Sequence, residues 1–157
     1  MSRCLVEPNE ITYSAAISAC EKGQKWEHAL QLLGVMRQRV VESGVRVYNA
    51  AMSACEKGRR LDLALRLMVA MAQETLEPDL ITYNSVISAC ERCRAWEVAL
   101  DLLSEMEQGG LAPDAITCEA VIASCEAHGG SGQMPRLTAL LREWAAGQLA
   151  SAPQSER

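Results

Sequence analysis

The chain has 157 residues, of which 49% are apolar and 22% charged, and its net charge is −5. That length and balance suit one domain with a real core and exclude an intrinsically disordered chain. No apolar run approaches the ~18 residues of a membrane-spanning helix, and the acidic total argues mildly against a nucleic-acid binder, which usually carries a basic face.

Residues 1–9 show neither a charged-then-apolar secretory pattern nor an Arg/Ser-rich transit pattern. They read as the end of a preceding repeat or an N-terminal flank, either of a protein retained where it is made or of a piece of a longer chain. From residue 10 onward the sequence repeats every 35 residues. The segments ITYSAAISACEKG (11–23), RVYNAAMSACEKG (46–58), ITYNSVISACERC (81–93) and ITCEAVIASCEAH (116–128) align without a gap. Tyr13, Tyr48, Tyr83 and Cys118 set the register. Trp26, Leu61 and Trp96 keep the same period, as do Ala29, Ala64 and Ala99, and Met36, Met71 and Met106. Pro8, Pro78 and Pro113 share it, with Ser43 in the gap. A fixed period of this size marks a solenoid or array.

Each unit holds two helical patterns. In the first, Tyr13, Ala16, Ile17 and Cys20 fall on one face, at i, i+3, i+4 and i+7. Gly23 and Gly58 then offer the left-handed residue that ends many helices. In the second, Trp26, Ala29, Leu30, Leu33 and Met36 form another apolar stripe, and the next Pro closes the unit. Strict two-residue alternation is absent. The expected fold is all-α, an α-solenoid of stacked helix–turn–helix units at 10–44, 45–79 and 80–114. A degenerate or capping unit follows at 115–144. It contains the insertion GGSGQ (129–133) and a possible capping stretch with Leu137, Leu140, Leu141 and Trp144. The tail, 145–157, is expected to fray. A single helix of this length is marginal in water, so stability should be shared between neighbouring units.

Seven cysteines, Cys4, Cys20, Cys55, Cys90, Cys93, Cys118 and Cys125, are an odd number. Cys20, Cys55, Cys90 and Cys125 follow the repeat and read as small packing residues in a reducing compartment. Cys90 and Cys93 form a C-x-x-C, but no second Cys or His pair stands nearby to complete a zinc site. His28 and His128 have no catalytic partners in a recognisable arrangement. The expectation is a non-enzymatic chain with no metal and no cofactor.

Tetratricopeptide units have about 34 residues and a different tryptophan–tyrosine signature. ITYNSVISACERCRAWEVALDLLSEMEQGGLAPD (81–114) and its copies instead resemble the P-type 35-residue unit of the pentatricopeptide repeat family. The shared features are the T-Y-N opening, the G or C between helices, the A-L pair in the second helix, the M near its end and the closing P-D. The resemblance covers residues 9 to 128. It implies a right-handed superhelix that binds single-stranded RNA, two side chains per unit reading one base. The readers it implies are Ser14, Asn49, Asn84 and Glu119 after the tyrosine-type residue, and Gly44, Asp79 and Asp114 at the unit ends. Asn9 would close a preceding unit. Asn49–Asp79 and Asn84–Asp114 look like a uracil-preferring pair: Asn offers a donor and an acceptor to the base edge, and Asp can fix its amide. Ser14–Gly44 and Glu119 match no strong combination.

The resemblance also implies that Ile11, Arg46, Ile81 and Ile116 sandwich the bases, Arg46 departing from the aliphatic pattern. Lys22, Lys57 and Arg92 would contact phosphates as a basic stripe. The implied setting is organellar RNA processing, stability, editing or translation in a chloroplast or mitochondrion. Plainer readings stand beside these. Asn49 and Asn84 could cap their helices, the cations could complement helix dipoles, and Trp26 and Trp96 belong with the core. The alternative function is a protein-interaction scaffold without RNA binding. Three and a half units would read only about three nucleotides, so the chain is expected to be a fragment, or a degenerate member working with other proteins.

Overall fold

A computed structural model describes residues 7–127 and six helical positions between 135 and 147. Seven helices run in order through the continuous stretch: α1 (Glu10–Lys22), α2 (Trp26–Gln38), α3 (Val45–Lys57), α4 (Leu61–Gln73), α5 (Leu80–Cys93), α6 (Trp96–Gln108) and α7 (Ala115–Glu126). The described residues contain no strand. Leu137, Leu140, Leu141 and Trp144 lie outside the described residues, as do the insertion at 129–133, Cys4 and His128. Of the tail expected to fray, Ala146 and Gly147 are described and are helical, in keeping with the helix propensity of alanine.

Three of the four first helices start at a side-chain cap. Asn9, Asp79 and Asp114 each accept from the backbone N–H three residues on, at Thr12, Thr82 and Thr117. Gly44, at the head of α3, makes no such bond. Helix ends follow a second rule. The chain turns through a left-handed residue at Gln24, Val40, Arg59, Thr75, Arg94 and Gly110, with φ between 55° and 79°. At each turn the next N–H reaches back to a carbonyl in the last helical turn, as from Lys25 to Cys20, Arg60 to Cys55 and Ala95 to Cys90. These are Schellman motifs. The left-handed residue is therefore not Gly23 or Gly58, whose φ values are −81° and −80°. It falls one position later, because the double bond pattern places it after the last residue with helical φ. Five of the six are not glycine, and β-branched Val40 and Thr75 carry strain of order 1–2 kcal/mol each.

The first helices α1, α3, α5 and α7 pack against one another in a row. Each second helix packs on its own first helix and on the first helix of the next unit, but α2, α4 and α6 make no close backbone approach to one another. The core lies between these layers. Tyr48, Ile17, Met52, Ile87 and Val121 come from the first helices, and Met36, Met71 and Met106 from the second. Ala29, Ala64 and Ala99 are fully buried where the paired helices meet. Cys55, Cys90 and Cys125 are buried free thiols, and Cys20 is half-buried. Burial pushes the Cys55 thiol up to about 11 and the Cys90 thiol up to about 12, which keeps both in the protonated, less nucleophilic form near neutral pH.

Gly58 is needed for space rather than for φ. A Cβ there would lie 2.8 Å from Cγ and 2.9 Å from Nε1 of Trp26, one unit earlier. Trp26 is half-buried, lying over this turn with the Arg60 guanidinium 4.5 Å from its ring centre. Asp62 holds that guanidinium through two hydrogen bonds of 3.2 and 3.1 Å. One unit on, the counterparts are Leu61 and Cys93, a smaller aliphatic paired with a larger turn residue. Gly58→Ala should destabilise the fold by about 1–3 kcal/mol, the usual cost of overpacking. Adding Trp26→Leu should remove most of that penalty, so urea unfolding of the two single variants and the double variant should reveal strong non-additivity.

Candidate nucleic-acid interface

The candidate residues occupy equivalent places in successive units. Ile11, Arg46, Ile81 and Ile116 are the second residues of α1, α3, α5 and α7, and Ser14, Asn49, Asn84 and Glu119 are the fifth. Positions three apart share a helix face, so each unit presents a candidate flanking residue beside a candidate reader. Ile11, Ile81 and Ile116 are 76%, 61% and 58% exposed. They form a periodic row of apolar side chains outside the core. Arg46 and Ile81 line one cleft of about 270 Å³ together with Asn49. Arg46 and Ile11 line another, of about 450 Å³, with Ser14.

Asn49 and Asn84 do not cap their own helices. Asp79 and Asp114 are the caps, and each amide bonds to the cap of the following unit. Asn49 Nδ2 donates to Asp79 Oδ1 at 3.0 Å, and Asn84 Nδ2 donates to Asp114 at 3.2 and 3.3 Å. A third residue completes each set. The Thr82 hydroxyl donates to Asn49 Oδ1 at 2.6 Å, and the Thr117 hydroxyl donates to Asn84 Oδ1. The carboxylates also accept from the Thr82 and Thr117 backbone N–H groups at 2.9 Å. A carboxylate can only accept, so the amide nitrogen must face it. The orientation of each Asn is thereby set, leaving one N–H and one carbonyl lone pair for a ligand. Thr82 and Thr117 were not singled out from sequence. The usable signal is a cap residue followed three positions later by Thr, at 9–12, 79–82 and 114–117. Val47 breaks it in the second unit.

The cations differ from the basic stripe read from sequence. Lys57 Nζ lies 3.0 Å from Glu21 Oε1, and Arg92 Nε lies 2.9 Å from Glu56 Oε1. Ser53 also donates to Glu21, at 2.9 Å. Each cation is thus paired with a glutamate from the preceding first helix, so the edge is a ladder of mixed charge rather than a row of free cations. Lys22 is exposed and makes no ion pair among the described residues. Arg46 is the cation that lines the clefts.

Burial works against the Asp79 carboxylate. The Thr82 N–H and the Asn49 amide nevertheless hold it below the ordinary carboxylate range. Asp114 behaves alike, with Thr117 and Asn84 outweighing burial. A carboxyl depressed in the folded state contributes stability that is full above its unfolded value and is lost as pH falls through the folded one. Resistance to urea should therefore fall as pH drops below the ordinary aspartate range, and the Asp79→Asn, Asp114→Asn double variant should flatten that fall. An unchanged profile in the double variant would contradict the assignment.

The model described as the PPR repeat family matches residues 43–92 and 78–126, and the one described as the pentatricopeptide repeat domain matches residues 1–58. No curated protein matches the sequence. Among solved structures, pentatricopeptide repeat protein PPR10 from maize superposes with a TM-score of 0.74 at 22% identity, over 93% of this chain and 22% of its own. PPR10 in complex with an 18-nt psaJ RNA element gives 0.72 at 24% identity, over 96% of this chain and 23% of its own. The PPR domain of Arabidopsis thaliana protein-only RNase P 1, in complex with tRNA, gives 0.78 at 17% identity, over 87% of this chain and 72% of its own. At these identities the likeness is one of fold, and the chain spans about a fifth of the PPR10 chain. With the family's models matching along residues 1–126 of a stack of seven helices, the chain belongs to the pentatricopeptide repeat family.

Proposed function

We propose that this chain is a single-stranded RNA-binding module that reads one base per repeat and prefers uracil at its two central repeats. The observation that carries the reading is the pair of equivalent Asn–Asp–Thr sets at Asn49–Asp79–Thr82 and Asn84–Asp114–Thr117. Each leaves an amide with one donor and one acceptor. Uracil answers with its N3–H and a neighbouring carbonyl oxygen. Arg46 and Ile81 would flank the base at Asn49, and Ile81 and Ile116 the base at Asn84, by stacking and apolar contact. Ser14 and Glu119 stand outside this pattern. The maize relative was crystallised with RNA and the Arabidopsis domain with tRNA, which supports RNA as the ligand class. We extend the proposal to work on a chloroplast or mitochondrial transcript, in its processing, stability, editing or translation, with RNA binding rather than catalysis as the chain's contribution.

Fluorescence anisotropy with short RNAs carrying a U-U step, at two salt concentrations, tests this directly. The wild-type chain should bind at low salt and prefer U-U to A-A or C-C. Asn49→Ala with Asn84→Ala should abolish that preference, because the donor and acceptor are lost together. Equal binding by the double variant would sink the reading.

Lys57 and Arg92 act on phosphates in this proposal only by leaving their glutamates. Glu21→Gln with Glu56→Gln should therefore tighten RNA binding. It should also steepen the salt dependence by up to about 1.4 logarithmic units, about 0.7 per cation released to a phosphate. An unchanged slope would mean that these cations do not reach the RNA.

The same ladder supports the second reading, a protein-interaction scaffold, because it neutralises the charge an RNA backbone would seek. A pull-down from organelle extract with and without RNase separates the two. Partners that survive RNase favour the scaffold.

A further inference from the structure

The first repeat departs from the others at both of its reading positions. Gly44 stands where Asp79 and Asp114 stand, so its end of the unit offers no carboxylate. The space is nevertheless filled. A Cβ built on Gly44 would lie 2.8 Å from Oε1 of Glu10. Glu10 is the first residue of α1, and its counterparts in α3, α5 and α7 are the apolar Val45, Leu80 and Ala115. Of the three full units, the one without a carboxylate at its end is thus the one with a carboxylate at its beginning, and the two exceptions meet at one point. Glu10 and Ser14 line the cleft of about 450 Å³ that Ile11 and Arg46 also line.

We infer that Glu10 is a specificity-determining residue of the first repeat, where its carboxylate and the Ser14 hydroxyl select guanine. This rests on the base-reading proposed above. An ionised carboxylate offers two acceptor oxygens and no donor. On the Watson–Crick edge only guanine presents two adjacent donors, N1–H and an N2 hydrogen, which match those oxygens in a charge-assisted pair. Adenine and cytosine each set a ring nitrogen lone pair beside a single amine. Uracil sets carbonyl oxygens on both sides of its one N–H. Each therefore turns an acceptor toward the carboxylate. The Ser14 hydroxyl is left to donate to guanine O6. Arg46 supplies a guanidinium to stack on the ring and a positive charge in the same cleft.

The test uses the whole chain and labelled RNAs in which one variable base lies on either side of a U-U step. With N as each of the four bases, both NUU and UUN are measured by fluorescence anisotropy. One of the two orders should show guanine preferred by about tenfold, the scale of one good bidentate contact. Glu10→Gln keeps the shape but turns one oxygen into a donor, and should remove the guanine preference while U-U-dependent binding remains. Glu10→Ala combined with Gly44→Asp returns a carboxylate from the other side of the junction and should restore it. Circular dichroism confirms that each variant is folded. Retention of the guanine preference in Glu10→Gln overturns this inference and leaves the uracil reading intact. So does a wild-type chain that binds U-U without discriminating at N. Failure to bind any U-U RNA at low salt overturns the base-reading itself.

Discussion

The stack depends on a carboxylate that serves two units at once. Asp79 caps α5 through the Thr82 N–H and holds the Asn49 amide of the preceding repeat. Asp114 does the same for α7 and Asn84. A part-buried hydrogen bond of this kind is individually modest, but each one couples the start of a helix to the orientation of a side chain one unit away. A change that melts the first turn of α5 also frees Asn49. Local helix stability and reader geometry are therefore the same quantity measured at two places. Gly44 breaks the coupling at the first junction, where α3 starts without a side-chain cap and a different carboxylate stands in the gap.

Two further couplings run along the stack at other depths. Beneath the readers, the apolar row of first helices and the methionines of the second helices bury a continuous core. At the far ends of the first helices, Glu21–Lys57 and Glu56–Arg92 link neighbours with the same offset. All three operate between adjacent units, as expected for a quasi-one-dimensional fold whose stability is a sum over repeats and junctions. The ion pairs are half-exposed and contribute little to that sum. Their larger effect is on any polyanion that approaches the groove, since it meets cations already committed to glutamates.

The period, the helix pairs and the apolar faces were legible in the sequence because each is a spacing rule within one unit. Tyr48, Ile17 and Met71 are buried where that rule put them. The left-handed residues were not legible, since Gln24, Arg59, Arg94, Val40 and Thr75 have no intrinsic preference for that conformation; the Schellman bonds and the packing of the two helices impose it. The positions of the reading pairs came from the family resemblance. The part of Thr82 and Thr117 in them did not, because a Thr at the third position of a helix is unremarkable until the partner thirty-three residues earlier is known. The charge ladder was hidden for a related reason. Glu21 and Lys22 are neighbours in sequence and cannot face each other on a helix, so the pairing that forms is between repeats. The role proposed for Glu10 has no signature within one unit, because it exists only opposite Gly44.

The absence of close approach among α2, α4 and α6 has a mechanical consequence. A rod bends by stretching one side and compressing the other, and the line that keeps its length is the stiffest and most continuous one. Here that line is the contacting row of α1, α3, α5 and α7, which also carries Ser14, Asn49, Asn84 and Glu119. The second helices meet across units through side-chain contacts near their ends, Arg60 over Trp26 and Arg37 with Glu74, so a change of curvature falls on those contacts more than on the spacing from Ser14 to Asn49 to Asn84. Under the proposed reading, the molecule would follow a flexible strand through a range of bends without losing step with its bases.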